Sequence, residues 1–191
     1  MDLDDKQLIE NYLDGDGNSF SILIDRYLKS VFNFAYRLCG NKNDAEDIAQ
    51  DTFLKVWKNI KKYNGKNSFK TWLFTIARNT TIDYLRKKRD LKFSDFDTEE
   101  GNYIEDTLAD KEILSDDVFA KSENKGILEK MFNEMPSIYK EILVMHYTND
   151  LSLEEISQIL KRPMNTIKSQ HRRALIFIRD DAKKRLNAPK N

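Results

Sequence analysis

Residues 151–173 read LSLEEISQILKRPMNTIKSQHRR, and this stretch decides the fold. Ser152 with Glu155 three positions later makes a capping box, in which the hydroxyl serves the Glu155 amide and the carboxylate reaches back to the Ser152 N–H. Leu151 and Ile156 stand at the spacing of a hydrophobic staple. Ile156, Ile159 and Leu160 give a short first helix one apolar face. Pro163 suits the first turn of a second helix, where its missing N–H has no intrahelical partner to lose. That second helix turns Ile167 and Ala174 inward and presents Asn165, Thr166, Lys168, Ser169, His171, Arg172 and Arg173. Helix, tight turn and basic second helix are the helix-turn-helix layout, whose second helix enters the DNA major groove.

The rest of the chain is helical as well. Six Gly and three Pro in 191 residues leave few breaks. Residues 3–13 form a short amphipathic helix, and DGDGNS at 14–19 breaks it. A long helix over 20–38 carries Phe20, Leu23, Ile24, Tyr27, Val31, Phe34 and Leu38 on one stripe, with Gly40 as its stop. Asp44 is placed to cap DAEDIAQDTFLKVWKNI, whose core stripe is Ile48, Ala49, Thr52, Phe53, Val56 and Trp57. After the polar loop KKYNGKNS, Ser68 caps FKTWLFTIARNTTIDYLRKKR, with Phe69, Trp72, Leu73, Ile76 and Leu85 inward. Residues 93–123 are rich in carboxylates opposed only by Lys111 and Lys121, and read as an acidic, mostly irregular linker. GILEKMFNEM at 126–135 is one helix, and Pro136 starts another, SIYKEILVMHY. The expected fold is all-α: a helical domain at 1–92, the linker at 93–121, and a helix-turn-helix domain at 122–191.

Overall charge excludes little, because 32 Lys+Arg balance 32 Asp+Glu. The distribution is more telling. From Lys61 to Lys92 the cations Lys61, Lys62, Lys66, Lys70, Arg78, Arg86, Lys87, Lys88, Arg89 and Lys92 meet only Asp83 and Asp90. Tyr63, Asn64, Asn67, Asn79 and Tyr84 are interleaved. Cations hold phosphates, whereas amides and aromatics hydrogen-bond or stack on exposed bases. A second basic region runs from Lys161 to Arg185.

Other chemistries find little support. Cys39 is the single cysteine, and with two His there is no zinc constellation. Asp14, Asp16 and Asn18 begin like an EF-hand loop. Ser19 then stands at the required Gly and Asp25 at the bidentate Glu, so a turn is expected. His146 lies in LVMHY without a paired Cys or carboxylate cluster and reads as a packed histidine. MDLDDKQLIE is acidic and lacks the apolar run of a signal peptide. No stretch approaches the ~20 apolar residues of a membrane span. A cytoplasmic protein without cofactor, metal, membrane insertion or small-molecule substrate is expected.

Three segments together resemble the extracytoplasmic-function (ECF) group of bacterial RNA polymerase sigma factors. DAEDIAQDTFLKVWKNI is similar to the family's polymerase-binding helix. FKTWLFTIARNTTIDYLRKKR is similar to its promoter-melting helix, including the IARN…D…R pattern. MPSIYKEILVMHYTNDLSLEEISQIL…P…TIKSQHRRAL is similar to its C-terminal helix-turn-helix. They occur in the family's order and cover nearly all the chain outside the linker.

The resemblance implies a protein without chemistry of its own that binds core RNA polymerase and directs it to promoter DNA. An anti-sigma factor is the expected inhibitory partner. Asp44, Glu46, Asp47, Gln50, Asp51, Leu54 and Lys55 would meet the polymerase. Lys168, Ser169, Arg172 and Arg173 would read the −35 element, with Thr166 on phosphate. Asn64, Lys66, Asn67 and Ser68 would capture a flipped base of the −10 element, while Arg78, Asn79, Arg86 and Lys87 hold backbone or neighbouring bases. The family usually has Gly at position 165, Arg at 170, Leu at 171 and Arg at 175. Here these are Asn165, Gln170, His171 and Leu175, where the chain's own promoter preference is expected to be written. The linker, at roughly 30 residues, spans at most ~100 Å. Elements more than two turns apart, at ~34–36 Å per turn, need ~70–85 Å. The competing reading is a two-domain DNA-binding regulator that works without polymerase.

Overall fold

The computed structural model describes residues 3–89 and 134–186, which are helical apart from turns and short loops. The linker, most of the helix expected at 126–135 and the tail beyond 186 lie outside the described residues. Seven α-helices run through the described residues: α1 (Asp5–Leu13), α2 (Gly17–Cys39), α3 (Lys42–Asn59), α4 (Phe69–Arg89), α5 (Ser137–Leu143), α6 (Leu153–Leu160) and α7 (Met164–Leu186).

Caps explain most of the boundaries. Asp4 caps α1 in a capping box with Gln7. The break before α2 is shorter than 14–19, because the Asp16 carboxylate accepts the Asn18 N–H and draws Gly17, Asn18 and Ser19 into the helix. Gly40, at φ 69°, ends α2 in the left-handed conformation that a residue without Cβ adopts freely. Asn41, not Asp44, caps α3: its side-chain oxygen accepts the Asp44 N–H at 3.1 Å. Ser68 caps α4 as expected, its hydroxyl accepting the Thr71 N–H at 3.1 Å.

Helices α2, α3 and α4 pack together, with α1 laid on α2. Phe34 of α2 meets Phe74 of α4 edge to face at 5.6 Å, both fully buried. The Tyr27 hydroxyl and Arg26 both donate to Asp5, which fastens α1 to α2. Trp57, expected in the core, is instead 52% exposed beside fully buried Val56.

On the C-terminal side, α5 runs into a π-helical turn at Val144–Thr148, closed by Asn149 N–H donating to the Val144 carbonyl. The predicted capping box then opens α6: Glu155 N–H donates to Ser152 Oγ at 3.2 Å, and Ser152 N–H to Glu155 Oε2 at 2.9 Å. Lys161 ends α6 in the left-handed region, and Pro163 sits just ahead of α7 with its carbonyl accepting from Ile167. Met135 and Leu143 pack with Ala174 and Ile178 to join α5 to α7.

The two halves share one core. A contiguous apolar cluster runs from Leu8 and Phe34 through Phe69, Leu73, Phe74 and Ala77 to Ile142, Met145, Leu151, Ile156 and Ile167. Helix α4 packs on α6, and α2 packs on the π turn.

Candidate nucleic-acid interface

Helix α7 carries the first candidate surface. Its amino-terminal half buries Ile167, Gln170 and Ala174 and leaves Asn165, Lys168 and Arg172 exposed. Thr166, Ser169 and Arg173 lie at the edges of that face, partly covered, and Ser169 Oγ donates to the Thr166 carbonyl at 2.9 Å. Lys168 and Arg172, one turn apart, can therefore approach a groove together. The −35 candidates share one face.

His171 lies toward the flank of α7, where its ring stacks on Tyr147 and meets His146 edge to face at 5.2 Å. Burial, with His146 beside it, holds the His171 pKa below its ordinary value. His146 is a packed histidine as expected: Nδ1 donates to the Leu151 carbonyl at 2.7 Å, which ties the π turn to the start of the helix-turn-helix.

The second surface is the loop before α4 together with α4. Asn64, Lys66 and Asn67 are exposed in the loop, where Asn64 Oδ1 accepts the Lys66 N–H and the Tyr63 hydroxyl donates to the Asn67 carbonyl. Gly65, at φ 69°, makes the bend. Asn79, Arg86 and Lys87 are exposed along α4. A cleft of about 310 Å³ between α3 and α4 is lined by Lys55, Asn59, Lys62, Trp72, Ile76, Asn79 and Thr80. Lysines around an indole wall with two amides suit a nucleic-acid strand. Lys62 belongs to the first basic region, whereas Lys55, Asn59 and Thr80 were not foreseen on this surface; the signal was the i, i+4 spacing of Lys55 and Asn59 on α3, which face Asn79 and Thr80 of α4.

Two of the expected −10 residues are engaged elsewhere in this arrangement. The Ser68 hydroxyl serves the α4 cap and lies 3.2 Å from Glu155 Oε1 of α6. Arg78 Nε donates to Glu141 Oε2 of α5 at 3.1 Å. Sequence periodicity cannot show such occupancy, because both partners come from the other half of the chain.

The third surface is the outer face of α3. Glu46, Asp47, Gln50, Asp51 and Leu54 are exposed, and Leu54 and Trp57 are each 52% exposed one turn apart. Trp57 extends the face, since 50, 54 and 57 keep the 4-and-3 rhythm. Two residues expected here point elsewhere. Asp44 turns into the domain, where it accepts from Tyr84 Oη at 3.0 Å and Lys88 Nζ at 2.6 Å. The Lys88 contact holds the Asp44 pKa below its ordinary value. Lys55 reaches across to α4, its Nζ donating to Thr80 Oγ1 at 3.0 Å. Both corrections have one cause: α4 lies beside α3 and supplies partners that a helix considered alone lacks.

Residues 23–90 match the model for Sigma-70 region 2, and residues 125–178 match Sigma-70, region 4. The ECF RNA polymerase sigma factor SigW of Bacillus subtilis is 31% identical over 172 residues, covering 89% of this chain and 92% of that one. The chain belongs to the ECF RNA polymerase sigma factors. The sigma-E factor of Escherichia coli K12 is 30% identical over 174 residues, covering 90% of this chain and 91% of that protein. Among solved structures, the sigma factor RpoE from Bartonella quintana, crystallised with the anti-sigma factor NepR, superposes with a TM-score of 0.64 at 25% identity, covering 86% and 96% of the two chains. CnrH, solved with the cytosolic domain of CnrY, shares the fold at a TM-score of 0.66 and 17% identity, covering 97% and 99%. As an ECF sigma factor the chain directs promoter-specific transcription initiation.

Within this ECF sigma factor the four unusual positions of α7 separate by exposure. Asn165 is exposed, Gln170 is buried, His171 packs on Tyr147, and Leu175 packs in the cluster that joins α5 to α7. Three of the four are taken up in the packing of α7, and Asn165 lies on its exposed face with Lys168 and Arg172.

Proposed function

We propose that this sigma factor divides its work among three helices: α3 for core RNA polymerase, the 64–67 loop with α4 for the −10 element, and α7 for the −35 element. The corresponding units are residues 1–92 and 122–191, joined by the acidic linker at 93–121. The observation that carries the proposal is the coexistence of two separate cationic surfaces and one apolar-acidic face, each on its own helix. Exposed Leu54 and Trp57, ringed by Asp47, Gln50 and Asp51, suit a helix-on-helix contact with the polymerase. Lys168 and Arg172 suit base edges, since an Arg forks onto guanine at roughly 1–3 kcal/mol of discrimination. Ser169 and Arg173 flank them, and Thr166 at the amino end of α7 suits phosphate.

Asn64, Lys66 and Asn67 offer donors and acceptors to an unstacked base, with Asn79, Arg86 and Lys87 along the strand beyond. Asp44 and Lys55 serve the α3–α4 seam in this assignment. The protein supplies no chemistry of its own and acts in the cytoplasm, where polymerase is found; no helix among the described residues is long and apolar enough to cross a membrane. An anti-sigma factor of the kind that NepR is for RpoE is the expected antagonist.

The test is reconstitution with core polymerase and sequencing of transcripts started on a genomic library. A shared two-element promoter upstream of the starts is expected. Starts identical to those of core alone would refute the proposal.

A further inference from the structure

We propose that Asn165 is a specificity-determining residue of the −35 interface, reading one adenine through the N7 acceptor and N6 donor of its major-groove edge. This rests on the assignment of α7 to the −35 element.

An asparagine at a helix start ordinarily serves as the cap, with its side chain turned back on the backbone. Asn165 does not. The Pro163 carbonyl accepts the Ile167 N–H at 3.1 Å and opens the helix, so Met164 is its first residue and Asn165 its second. The Asn165 side chain is exposed and bonds to no other described residue. Its carbonyl and its amide are both available to a ligand. Of the four departing positions on α7, Asn165 alone is exposed, since Gln170 is buried and His171 and Leu175 are packed.

The position is the one that a groove-entering helix presents first. Such a helix contacts base edges with its amino-terminal residues. Within the first two turns of α7, Ile167 and Gln170 are buried and Met164, Thr166 and Ser169 are partly covered, so Asn165 and Lys168 lead. Asn165, Lys168 and Arg172 stand at i, i+3 and i+7 on one stripe. Arg172 is ~10.5 Å along the axis from Asn165 and ~20° round it. Successive bases rise ~3.4 Å, so a helix lying along the groove sets these two side chains about three base pairs apart.

The chemistry selects the base. A primary amide donates and accepts side by side. Adenine offers an acceptor next to a donor, so Asn165 Nδ2 can donate to N7 while Oδ1 accepts from N6. Guanine shows two acceptors, which leaves Oδ1 unpaired, and cytosine shows one donor, which leaves Nδ2 unpaired. Lys168 and Arg172 have donors only and suit guanine. Asn165 therefore adds an adenine to an interface whose cations favour guanine.

The test selects duplexes from a randomised pool on holoenzyme reconstituted from core polymerase and the full-length chain, followed by sequencing. Wild type, Asn165→Gly, Asn165→Asp, Lys168→Ala and Arg172→Ala would be compared. Asn165→Asp keeps the side-chain size and favours a helix start, so an effect of this change does not come from a weaker helix. Wild type should enrich adenine at one upstream position, about three base pairs from the position that Arg172→Ala relaxes. Both Asn165 variants should lose that enrichment by roughly fivefold or more and leave the other upstream positions as they were. Retained adenine in both Asn165 variants, with upstream preference changed by Lys168→Ala or Arg172→Ala, would overturn the role of Asn165 alone. Equal weakening of every sequence by Asn165→Gly, with a smaller salt slope, would make Asn165 a phosphate contact and overturn it too. Upstream preference unchanged in all four variants would remove α7 from the −35 element, and the adenine contact with it.

Discussion

Glu155 holds both the helix-turn-helix cap and the domain contact, and the two roles separate in a double-mutant cycle with Thr71. Thr71 is 1% exposed, and its Oγ1 lies 3.0 Å from Glu155 Oε1. Thr71→Val keeps the shape and the backbone bond to Ser68 while removing that hydroxyl. Glu155→Ala removes the same bond together with its bonds to Ser152 N–H at 2.9 Å and Ser152 Oγ at 3.0 Å. A hydrogen bond to a charged acceptor is worth about 1.5–3 kcal/mol. Glu155 is only partly buried and keeps its Ser152 donors, so solvent screening takes the coupling below that range, to ~1 kcal/mol. The Glu155→Ala single variant should lose about 2 kcal/mol, because it also breaks the capping box. Urea denaturation of the four proteins, with equal slopes, gives the cycle. Additivity within ~0.3 kcal/mol would refute the reasoning, since these residues come from different halves and can couple only if the halves are docked in solution.

Three further outcomes are expected. Leu54→Glu and Trp57→Ala should weaken core polymerase binding at least tenfold with unchanged melting temperature, whereas Asp44→Ala should lower the melting temperature by detaching Tyr84 and Lys88; pull-down on core and thermal melts distinguish the two. Arg172→Ala should weaken promoter binding by about 1–3 kcal/mol with relaxed preference at one base pair if it reads a base, while loss of a phosphate contact would lower the salt slope by ~1 without changing preference; an unchanged binding isotherm would remove Arg172 from the interface. Burial holds the Glu141 pKa above its ordinary 4.5 despite the Arg78 guanidinium, so docking takes up a proton relative to a solvated Glu141. The resulting support for docking is complete below the ordinary carboxyl value and lost as pH rises through the raised one. The radius of gyration should therefore grow as pH rises through the raised Glu141 value in wild type but not in Glu141→Gln, and equal slopes in both would contradict it.

Local rules carried most of the fold. The capping box at Ser152 and Glu155, the Gly40 stop, the Ser68 cap and the inward stripe of α4 are all set by residues within four positions of one another, and sequence reveals such relations directly. The misses are where a neighbouring helix decides. Asp44 had the residue type of a cap, but Asn41 holds that place and Tyr84 and Lys88 draw the carboxylate inward. Trp57 fitted an apolar stripe, yet the packing of α2 and α4 on α3 buries Val56 and leaves Trp57 outside. The π turn at Val144–Thr148 has no comparable local signature, and it sets the register that brings Asn149 onto Ser30. Most of the candidate surface was legible because exposed cations follow from charge patterning alone. The engagement of Ser68 and Arg78 was not, since their partners lie more than sixty residues away in sequence.

The docked seam is built so that opening leaves each half intact. Glu155 loses Ser68 and Thr71 but keeps both Ser152 donors, so α6 retains its cap. Ser68 loses Glu155 but keeps the Thr71 N–H, so α4 retains its cap as well. Glu141 and Arg78 separate into water, which solvates both and removes the desolvation that the buried pair bears. What water cannot replace is the apolar seam around Phe69, Leu73, Ile142 and Leu151, whose exposure opposes opening in proportion to its area. The polar contacts therefore fix which faces meet, while the apolar seam sets how firmly. A partner that separates the halves must then supply apolar area of its own, and Leu54 and Trp57 are already exposed on α3 while the seam is closed. Combining Leu54→Glu with Glu155→Ala checks whether the two are coupled: if polymerase drives opening through α3, the second change should partly restore the promoter binding that the first removes, and independent effects would place the driving contact elsewhere.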